Sequence, residues 1–236
     1  MQDFSIQIYA DGASIEGMKD VSSKWPISGF TTNPSLMKKA GVKDYVQFVK
    51  EVLDAVKGLP ISFEVFSDDF SSMEKEARKL SDLGSNVYVK IPITNTQGES
   101  SVPLIKKLSE AGIQINVTAI FTLGQIKEVL PAFAPNTKNI VSVFAGRIAD
   151  TGTDPVPLMK EAVKLTRDNG NAALLWASCR EVLNIFQAQD IDVDIITVTN
   201  DVLNKLSNVG KDPAQFSLET VKGFQQDSQA LGYSIL

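Results

Sequence analysis

The sequence predicts a single-domain (β/α)8 barrel with a C-terminal helix, spanning residues 1–236. Short β-branched runs alternate with longer amphipathic segments, and there are eight such runs. Several of them are apolar on both faces, which is typical of strands buried in a parallel sheet. The length of 236 residues suits one barrel, and a 43% hydrophobic content is enough for a sizeable core. An open doubly wound sheet is the alternative, but it usually has fewer strands at this length.

The predicted strands, in chain order, are Ile6–Ala10, Gly29–Thr32, Ile61–Phe66, Val87–Ile93, Ile115–Phe121, Ile140–Phe144, Ala172–Ala177 and Ile195–Thr199. The predicted helices between them are Tyr45–Val56, Ser72–Leu83, Val102–Ala111, Leu123–Leu130, Pro157–Asp168 and Arg180–Gln189. Gly84 and Gly112 each follow a helical pattern directly and act as stop signals.

The tail beyond the last strand contains two further helical patterns, Asp201–Ser207 and Ser217–Leu231. The second pattern is amphipathic, with Leu218, Val221 and Phe224 on one side. We expect this helix either to cap the barrel or to dock on a neighbouring subunit.

Composition excludes several classes of protein. The net charge of −5 and the pI near 4.9 argue against broad binding of nucleic acid or anionic membranes. No apolar run is long enough to span a bilayer, and the N-terminus lacks a basic stretch followed by an apolar one. The single Cys179 cannot form an internal disulfide, so we expect a reducing, cytoplasmic location.

The absence of histidine narrows the chemistry further. It removes Ser-His and Cys-His nucleophile pairs and every His-ligated metal site. Carboxylates, Lys, Tyr or bound water must therefore transfer protons. We expect neither a metal nor a cofactor.

Polar residues gather at the C-terminal ends of the predicted strands, where a barrel carries its chemistry. They are Asp11, Thr31, Thr32, Asn33, Glu64, Lys90, Asn116, Thr118, Ser142, Arg147, Ser178 and Arg180.

Lys90 lies within the apolar run VYVKIPI. Desolvation disfavours an ammonium, and a neutral amine can attack a ketone to form a Schiff base. The alternative is a lysine that extends its charged end to water at the edge of a strand.

Two carboxylates also have two interpretations each. Glu64 lies mid-strand among apolar residues, where it could relay protons through water or form an ion pair with Lys90. Asp11 precedes Gly12 and could stabilise a turn or take a proton from a substrate hydroxyl. Asn33 is expected to cap the helix that begins at Pro34, a role that leaves it free to contact a ligand.

Arg147, Ser178 and Arg180 form a candidate phosphate site, because two guanidinium forks and a hydroxyl suit a phosphate dianion. Taken individually, each arginine is more commonly a solvated surface charge. Their shared place at the ends of strands 6 and 7 favours the phosphate site. Phe144 would lie between these groups and the interior, where core packing is its alternative role.

Seven segments of the chain resemble the transaldolase family, and they occur in the family's order. They are YADGAS (9–14), GFTTNPSLM (29–37), ISFEVF (61–66), VYVKIPIT (87–94), INVTAIFT (115–122), SVFAGRIAD (142–150) and WASCRE (176–181). The short length and INVTAIFT resemble the compact subfamily that also contains fructose-6-phosphate aldolases. TTNPS and VKIP together are the most specific part of the match.

The resemblance implies reversible transfer of a dihydroxyacetone unit from fructose 6-phosphate or sedoheptulose 7-phosphate to erythrose 4-phosphate or glyceraldehyde 3-phosphate. This is a reaction of the non-oxidative pentose phosphate pathway. By the same resemblance, Lys90 forms the Schiff base and Asp11 exchanges a proton with the C4 hydroxyl. Glu64 and Thr118 hold the water that carries protons. The implied substrate contacts are Thr32, Asn33, Asn116, Ser142, Phe144, Arg147, Ser178 and Arg180.

Two positions separate the close relatives. Fructose-6-phosphate aldolases carry Gln at the position of Glu64 and Tyr at the position of Phe144, so this sequence favours transfer over release of dihydroxyacetone. Cys179 departs from the bulkier residues often seen in its motif. The resemblance also implies a homo-oligomer, because compact relatives are commonly decamers and longer ones are often dimers.

Overall fold

The computed structural model of the chain describes residues 3–233 and residue 235. Its eight parallel strands form a closed barrel in which sequence neighbours are spatial neighbours and β8 pairs with β1. This topology confirms the fold class predicted from the sequence. The strands are β1 (Gln7–Asp11), β2 (Gly29–Thr31), β3 (Ile61–Glu64), β4 (Val87–Pro92), β5 (Ile115–Ile120), β6 (Asn139–Val143), β7 (Ala173–Trp176) and β8 (Ile195–Thr199).

Helices follow the strands and cover the barrel. Through the end of the barrel they are α1 (Ile15–Lys24), α2 (Pro34–Lys39), α3 (Tyr45–Ala55), α4 (Phe70–Ser81), α5 (Val102–Glu110), α6 (Leu123–Val129), α7 (Ala145–Ala149), α8 (Val156–Asn169), α9 (Leu183–Asp190) and α10 (Asn200–Asn204). All six helices predicted between the strands are present, although α9 begins three residues later than expected.

Three helices were incompletely predicted: α1 and α7 had no prediction, and for α2 only the start at Pro34 was expected. The first of them begins after Ser14, whose hydroxyl accepts a hydrogen bond from the Gly17 amide at 3.2 Å. Only Met18 and Val21 are buried along its ten residues, so its apolar stripe is too thin to read from the sequence. The other two helices have six and five residues, which is shorter than a periodicity window.

β3 ends at Glu64, two residues before the predicted end. The amides of Phe66 and Ser67 donate to the Glu76 carboxylate at 2.8 and 2.9 Å instead of continuing the strand ladder. A side chain of α4 therefore turns the chain away from the barrel immediately after Glu64.

The lower interior of the barrel is filled with apolar side chains, among them Tyr9, Tyr88, Ile140, Leu175 and Ile195. The Tyr9 ring fits because a glycine faces it: a Cβ on Gly29 would lie 2.5 Å from the ring. This packing leaves the C-terminal end of the barrel for the polar residues.

The chain forms two compact units, the first ending at Leu203 and the second beginning at Asn204. The second unit contains a 3-10 turn (Lys205–Asn208) and α11 (Pro213–Leu231), which starts four residues earlier than predicted because Asp212 caps it and Pro213 opens it. None of the α11 residues is buried, and Val221 and Phe224 are 60% and 70% exposed.

The domain bounds 1–236 and the docking of α11 stay predictions. Met1, Gln2, Ser234 and Leu236, which that domain includes, lie outside the described residues.

Candidate active site

A cavity of about 480 Å³ opens at the C-terminal end of the barrel. It is lined by eleven of the twelve residues proposed for the site: Asp11, Asn33, Glu64, Lys90, Asn116, Thr118, Ser142, Phe144, Arg147, Ser178 and Arg180. The strand ends therefore bring together side chains that lie up to 169 positions apart in the sequence.

Lys90 lies at the floor of this cavity and is 7% exposed. Its Nζ donates to the Thr32 carbonyl at 2.7 Å and lies 3.2 Å from Oε2 of Glu64. The pair arises from strand register, because Glu64 and Lys90 are direct partners across β3 and β4 and both point inward. Both interpretations of Glu64 therefore remain compatible, since a carboxylate paired with the amine is also placed to exchange protons with it.

The backbone beneath Glu64 is held from outside the barrel. Tyr45 of α3 donates its hydroxyl to the Glu64 carbonyl at 2.9 Å, and its ring lies edge-on to Phe63. Burial raises the pKa of Tyr45 well above its ordinary value, and the Glu64 carboxylate adds to the rise. Tyr45 therefore stays a neutral donor that fixes the end of β3.

Asp11 ends β1 on the other side of the cavity. Burial raises the pKa of its carboxyl; the Lys90 ammonium and a hydrogen bond from Thr31 lower it in part, and Glu64 raises it further. The protonated form consequently persists to higher pH than in an ordinary aspartate. A carboxyl in that condition can both take and return a proton.

Asn116 is fully buried and hydrogen-bonded on both sides. Its Nδ2 donates to Oγ of Ser62 at 3.0 Å, and its Oδ1 accepts from Oγ of Ser142 at 2.6 Å. Thr118 lies two residues further along the same strand, just before a β-bulge where Ala119 has φ of +57°. The bulge changes the strand register after Val117 and directs the end of β5 towards the cavity.

Asn33 caps α2 as expected, because its Oδ1 accepts from the Leu36 amide at 2.9 Å and its amide group remains free to donate. Thr32 is the one proposed residue that does not line the cavity. Its side chain is completely buried, and its hydroxyl donates to the Ser62 carbonyl at 2.9 Å. Thr32 reaches the site only through the carbonyl that holds Lys90.

The candidate phosphate site combines a strained residue with a close backbone approach. Ser178 has φ of +65°, a conformation that costs free energy in non-glycine residues and is enriched at functional sites. Its carbonyl lies against Gly146 of α7, where a Cβ would be 1.6 Å from the oxygen. The glycine therefore permits the conformation that turns Ser178 into the cavity.

The two arginines differ in their partners. Arg147 lies over the Phe144 ring, 5.2 Å from its centroid, and no ion pair joins it to any other residue in the described part of the chain. Arg180 forms a two-point ion pair with Asp150, through Nε to Oδ1 at 3.2 Å and through Nη2 to Oδ2. Its remaining N–H groups are free for a ligand.

Three kinds of residue were given no role from the sequence. Thr31, named only as part of a strand end, and Thr197 are buried hydroxyls; Thr31 contacts Asp11, and Thr197 contacts Thr31. Tyr45 of α3 and Asp150, which follows α7, hold site residues, and Gly146 makes room for Ser178. The alternation of inward positions along β2 and β8 would have indicated both threonines, whereas the helix-borne contacts have no sequence signal.

A second cavity of about 640 Å³ opens at the other end of the barrel, between the strand starts. Its lining includes Tyr9, Tyr88 and Asn139. It contains neither the buried amine nor a pair of converging carboxylates, so the smaller C-terminal cavity is the candidate active site.

Among residues 3–233 and 235, no group of three or more Cys, Asp or Glu side chains is arranged to hold a metal ion. Over the same residues, no helix is both long and apolar enough to cross a membrane. Burial raises the pKa of the Cys179 thiol to about 12, and its Sγ donates to the Glu181 carbonyl.

A family model described as "Transaldolase/Fructose-6-phosphate aldolase" matches residues 8–235. The chain belongs to this family. Among its relatives in the transaldolase/fructose-6-phosphate aldolase family is a "Probable transaldolase" of Methanococcus maripaludis, 37% identical over 204 residues that cover 86% of this chain and 90% of the relative. Another is a "Probable transaldolase" of Clostridioides difficile, 38% identical over 202 residues, 85% of this chain and 89% of the relative. These matches confirm the resemblance stated from the motifs.

The fold is shared more widely than the transaldolase/aldolase family. The crystal structure of KGPDC from Streptococcus mutans matches with a TM-score of 0.57 at 10% identity, covering 86% of this chain and 91% of that one. At such low identity the likeness extends to the barrel alone.

Proposed function

We propose that this chain is a transaldolase, a class I enzyme that transfers a dihydroxyacetone unit through a Schiff base on Lys90. The donor is fructose 6-phosphate or sedoheptulose 7-phosphate, and the acceptor is erythrose 4-phosphate or glyceraldehyde 3-phosphate. The observation that carries this proposal is the buried Lys90 amine, 3.2 Å from the Glu64 carboxylate in a cavity that Asp11 also lines. Membership of the family supports it.

The first step forms the imine. The Lys90 ammonium gives a proton to Glu64, directly or through a water that Glu64 and Thr118 hold. The neutral amine then attacks the ketone carbon of the donor, and the carbonyl oxygen leaves as water. Because Glu64 is within 3.2 Å of Nζ, one carboxyl can take the proton from the amine and return it to the departing oxygen.

The second step breaks the bond between C3 and C4. Asp11 takes the proton of the C4 hydroxyl, the aldose phosphate leaves, and an enamine of three carbons remains on Lys90. The acceptor aldehyde then reacts with that enamine, Asp11 returns its proton, and hydrolysis of the new imine frees the ketose product. Asn33, Asn116 and Ser142 bind the hydroxyls of the dihydroxyacetone part.

Arg147, Ser178 and Arg180 bind the phosphate at the far end of the substrate. Arg147 has no carboxylate partner among residues 3–233, which leaves its full charge for a ligand. Anchoring the phosphate there places the reacting carbons towards Lys90, since all these groups line one cavity.

The alternative is a fructose-6-phosphate aldolase, which releases free dihydroxyacetone by protonating the enamine. Phe144 offers no hydroxyl for that protonation, and Glu64 is paired with Lys90, so both favour transfer. The two activities separate in one experiment with fructose 6-phosphate, with and without erythrose 4-phosphate. Rapid multiple-turnover release of dihydroxyacetone without the acceptor would favour the aldolase.

The covalent intermediate has a direct test. Borohydride added with fructose 6-phosphate is expected to inactivate the enzyme and leave a reduced three-carbon adduct on Lys90, detected by peptide mass spectrometry. The control is borohydride alone, which should leave activity intact. Absence of an adduct on Lys90 would exclude the Schiff base.

Replacing Arg147 by alanine is expected to lower kcat/KM for phosphorylated substrates more than tenfold, because a charge-assisted hydrogen bond to a phosphate contributes about 1.5–3 kcal/mol. The measurement is kcat/KM with fructose 6-phosphate and with unphosphorylated fructose. Equal loss for both ketoses would contradict the phosphate role of Arg147.

We also propose that the enzyme works in the cytoplasm as a homo-oligomer, a decamer or a dimer, in the non-oxidative pentose phosphate pathway. The free, buried Cys179 and the exposed apolar side chains of α11 support the location and the assembly. Light scattering after size exclusion measures the oligomeric state.

A further inference from the structure

Asp11 of β1 ends a line of two buried hydroxyls, which come from the two strands that flank β1. Oγ1 of Thr31 on β2 donates to Oδ1 of Asp11 at 2.8 Å, and the same Oγ1 lies 2.5 Å from Oγ1 of Thr197 on β8. Thr31 and Thr197 are 3% and 5% exposed. The two threonines lie on either side of β1 and meet inside the barrel below the carboxyl that it carries.

The direction of these hydrogen bonds is fixed by a count of hydrogens. Thr31 has one hydroxyl hydrogen, so while it donates to an ionised Asp11 it can only accept from Thr197. When the carboxyl carries a proton on Oδ1, that proton can be donated to Thr31, whose own hydrogen then turns to Thr197. Thr31 therefore has a partner on both sides in either state, with opposite polarity.

We propose that Thr31 and Thr197 are positioning residues that form a reversible hydroxyl relay and hold Asp11 in one orientation in both its protonation states. The inference rests on the proposed acid–base role of Asp11. A reaction that runs in both directions needs a carboxyl that first accepts and then returns the same proton at the same place. When the proton is on the other carboxyl oxygen, Oδ2, Oδ1 still accepts from Thr31, so the hydroxyls can hold Asp11 whichever oxygen carries the proton.

Two other charged side chains act on Asp11, and substitution of Thr31 or Thr197 removes neither of them. Lys90 on β4 favours its carboxylate form, and Glu64 on β3 opposes it. Both remain in place when Thr31 or Thr197 is changed, so a change in the titration of Asp11 in those variants reports the hydroxyls.

The test compares Thr31→Val, Thr31→Ser and Thr197→Val with the full-length wild type. Loss of the Thr31 hydroxyl removes a donor to the carboxylate and should raise the pKa of Asp11 by about one unit. In the direction of ketose cleavage Asp11 must be ionised, so the acidic limb of the kcat profile should move to higher pH by the same amount. Thr31→Ser should restore the wild-type profile.

Thr197→Val should move the profile less, and it should have no further effect when Thr31 is already valine, because the two act in one line. The control is Thr166→Val, which removes a buried hydroxyl in α8 that bonds only to the Ala162 and Val163 carbonyls. That variant should leave the profile unchanged. Thr31→Ala supplies the same loss of hydroxyl if the valine variant does not fold.

The pKa is read directly by 13C NMR of aspartate carboxyls without substrate, with Asp11→Asn assigning the resonance. Unchanged titration of Asp11 in both Thr31→Val and Thr31→Ala would overturn the relay. Undiminished transfer in Asp11→Asn would instead overturn the role proposed for Asp11 while leaving the hydroxyl line testable by NMR.

Discussion

Replacing Lys90 by methionine is expected to abolish transfer, with kcat reduced by more than about a thousandfold. Lys90 is the one lysine that lines the cavity among the described residues, so no second amine can form the imine. Methionine has a similar length and no charge, and Lys90 sits among buried neighbours, so the barrel should persist. Turnover is measured in a coupled assay with fructose 6-phosphate and erythrose 4-phosphate.

The same substitution also leaves Glu64 without its partner, and this effect must be separated from the chemistry. Removing one member of a buried ion pair costs about 3–5 kcal/mol, and the partial exposure of Glu64 places the expectation at the lower end. Adding Glu64→Gln to Lys90→Met should recover stability in denaturant unfolding without recovering turnover. Transfer by either variant at more than about a thousandth of the wild-type rate would contradict the assignment of Lys90.

Replacing Gly146 by alanine is expected to disrupt the proposed phosphate site. The new Cβ would lie 1.6 Å from the Ser178 carbonyl oxygen and 2.7 Å from its carbon, so the backbone after β7 must move. Overpacking against backbone should cost about 3 kcal/mol or more of unfolding free energy. The displaced Ser178 and Arg180 should also raise KM for fructose 6-phosphate by more than about tenfold.

Gly124 gives a matched control for that experiment. It is also a helical glycine, but a Cβ there would meet only the Thr122 hydroxyl, at an ordinary 3.7 Å. Gly124→Ala should therefore leave KM unchanged and stabilise the protein slightly, as alanine does in a helix. If Gly146→Ala and Gly124→Ala had the same KM and the same stability, the close approach of Gly146 to Ser178 would not be needed for substrate binding.

The barrel could be predicted from the sequence because burial on both faces produces uninterrupted apolar runs that differ from every helix in the chain. The short helices could not be predicted in the same way. The helix α7, for example, has only five residues and depends on tertiary contacts for its position. The early end of β3 was also hidden, since it depends on Glu76 of α4 reaching back to the Ser67 amide.

The site was predictable where one rule sufficed, namely that chemistry gathers at the C-terminal ends of barrel strands. That rule led to Lys90, Glu64 and Asp11, which do line one cavity. It did not separate Thr31 from Thr32, and the substrate contact was assigned to Thr32, although a shift of one residue along a strand exchanges the inside of the barrel for the outside. The pairing of Arg180 with Asp150 depends on how α7 approaches β7, which the sequence does not encode locally.

Lys90 differs from the surface lysines of this protein in its accessibility to reagents, because it is only 7% exposed. The side chains of Lys106, Lys107 and Lys164 are 61–67% exposed. Bulky acylating reagents can therefore react with them, whereas the wall of the barrel shields Lys90. Among the described lysines, Lys90 is the one that lines the cavity at the C-terminal end of the barrel. The protein can therefore be tethered to a solid support through its surface amines while the amine proposed to form the Schiff base stays unmodified.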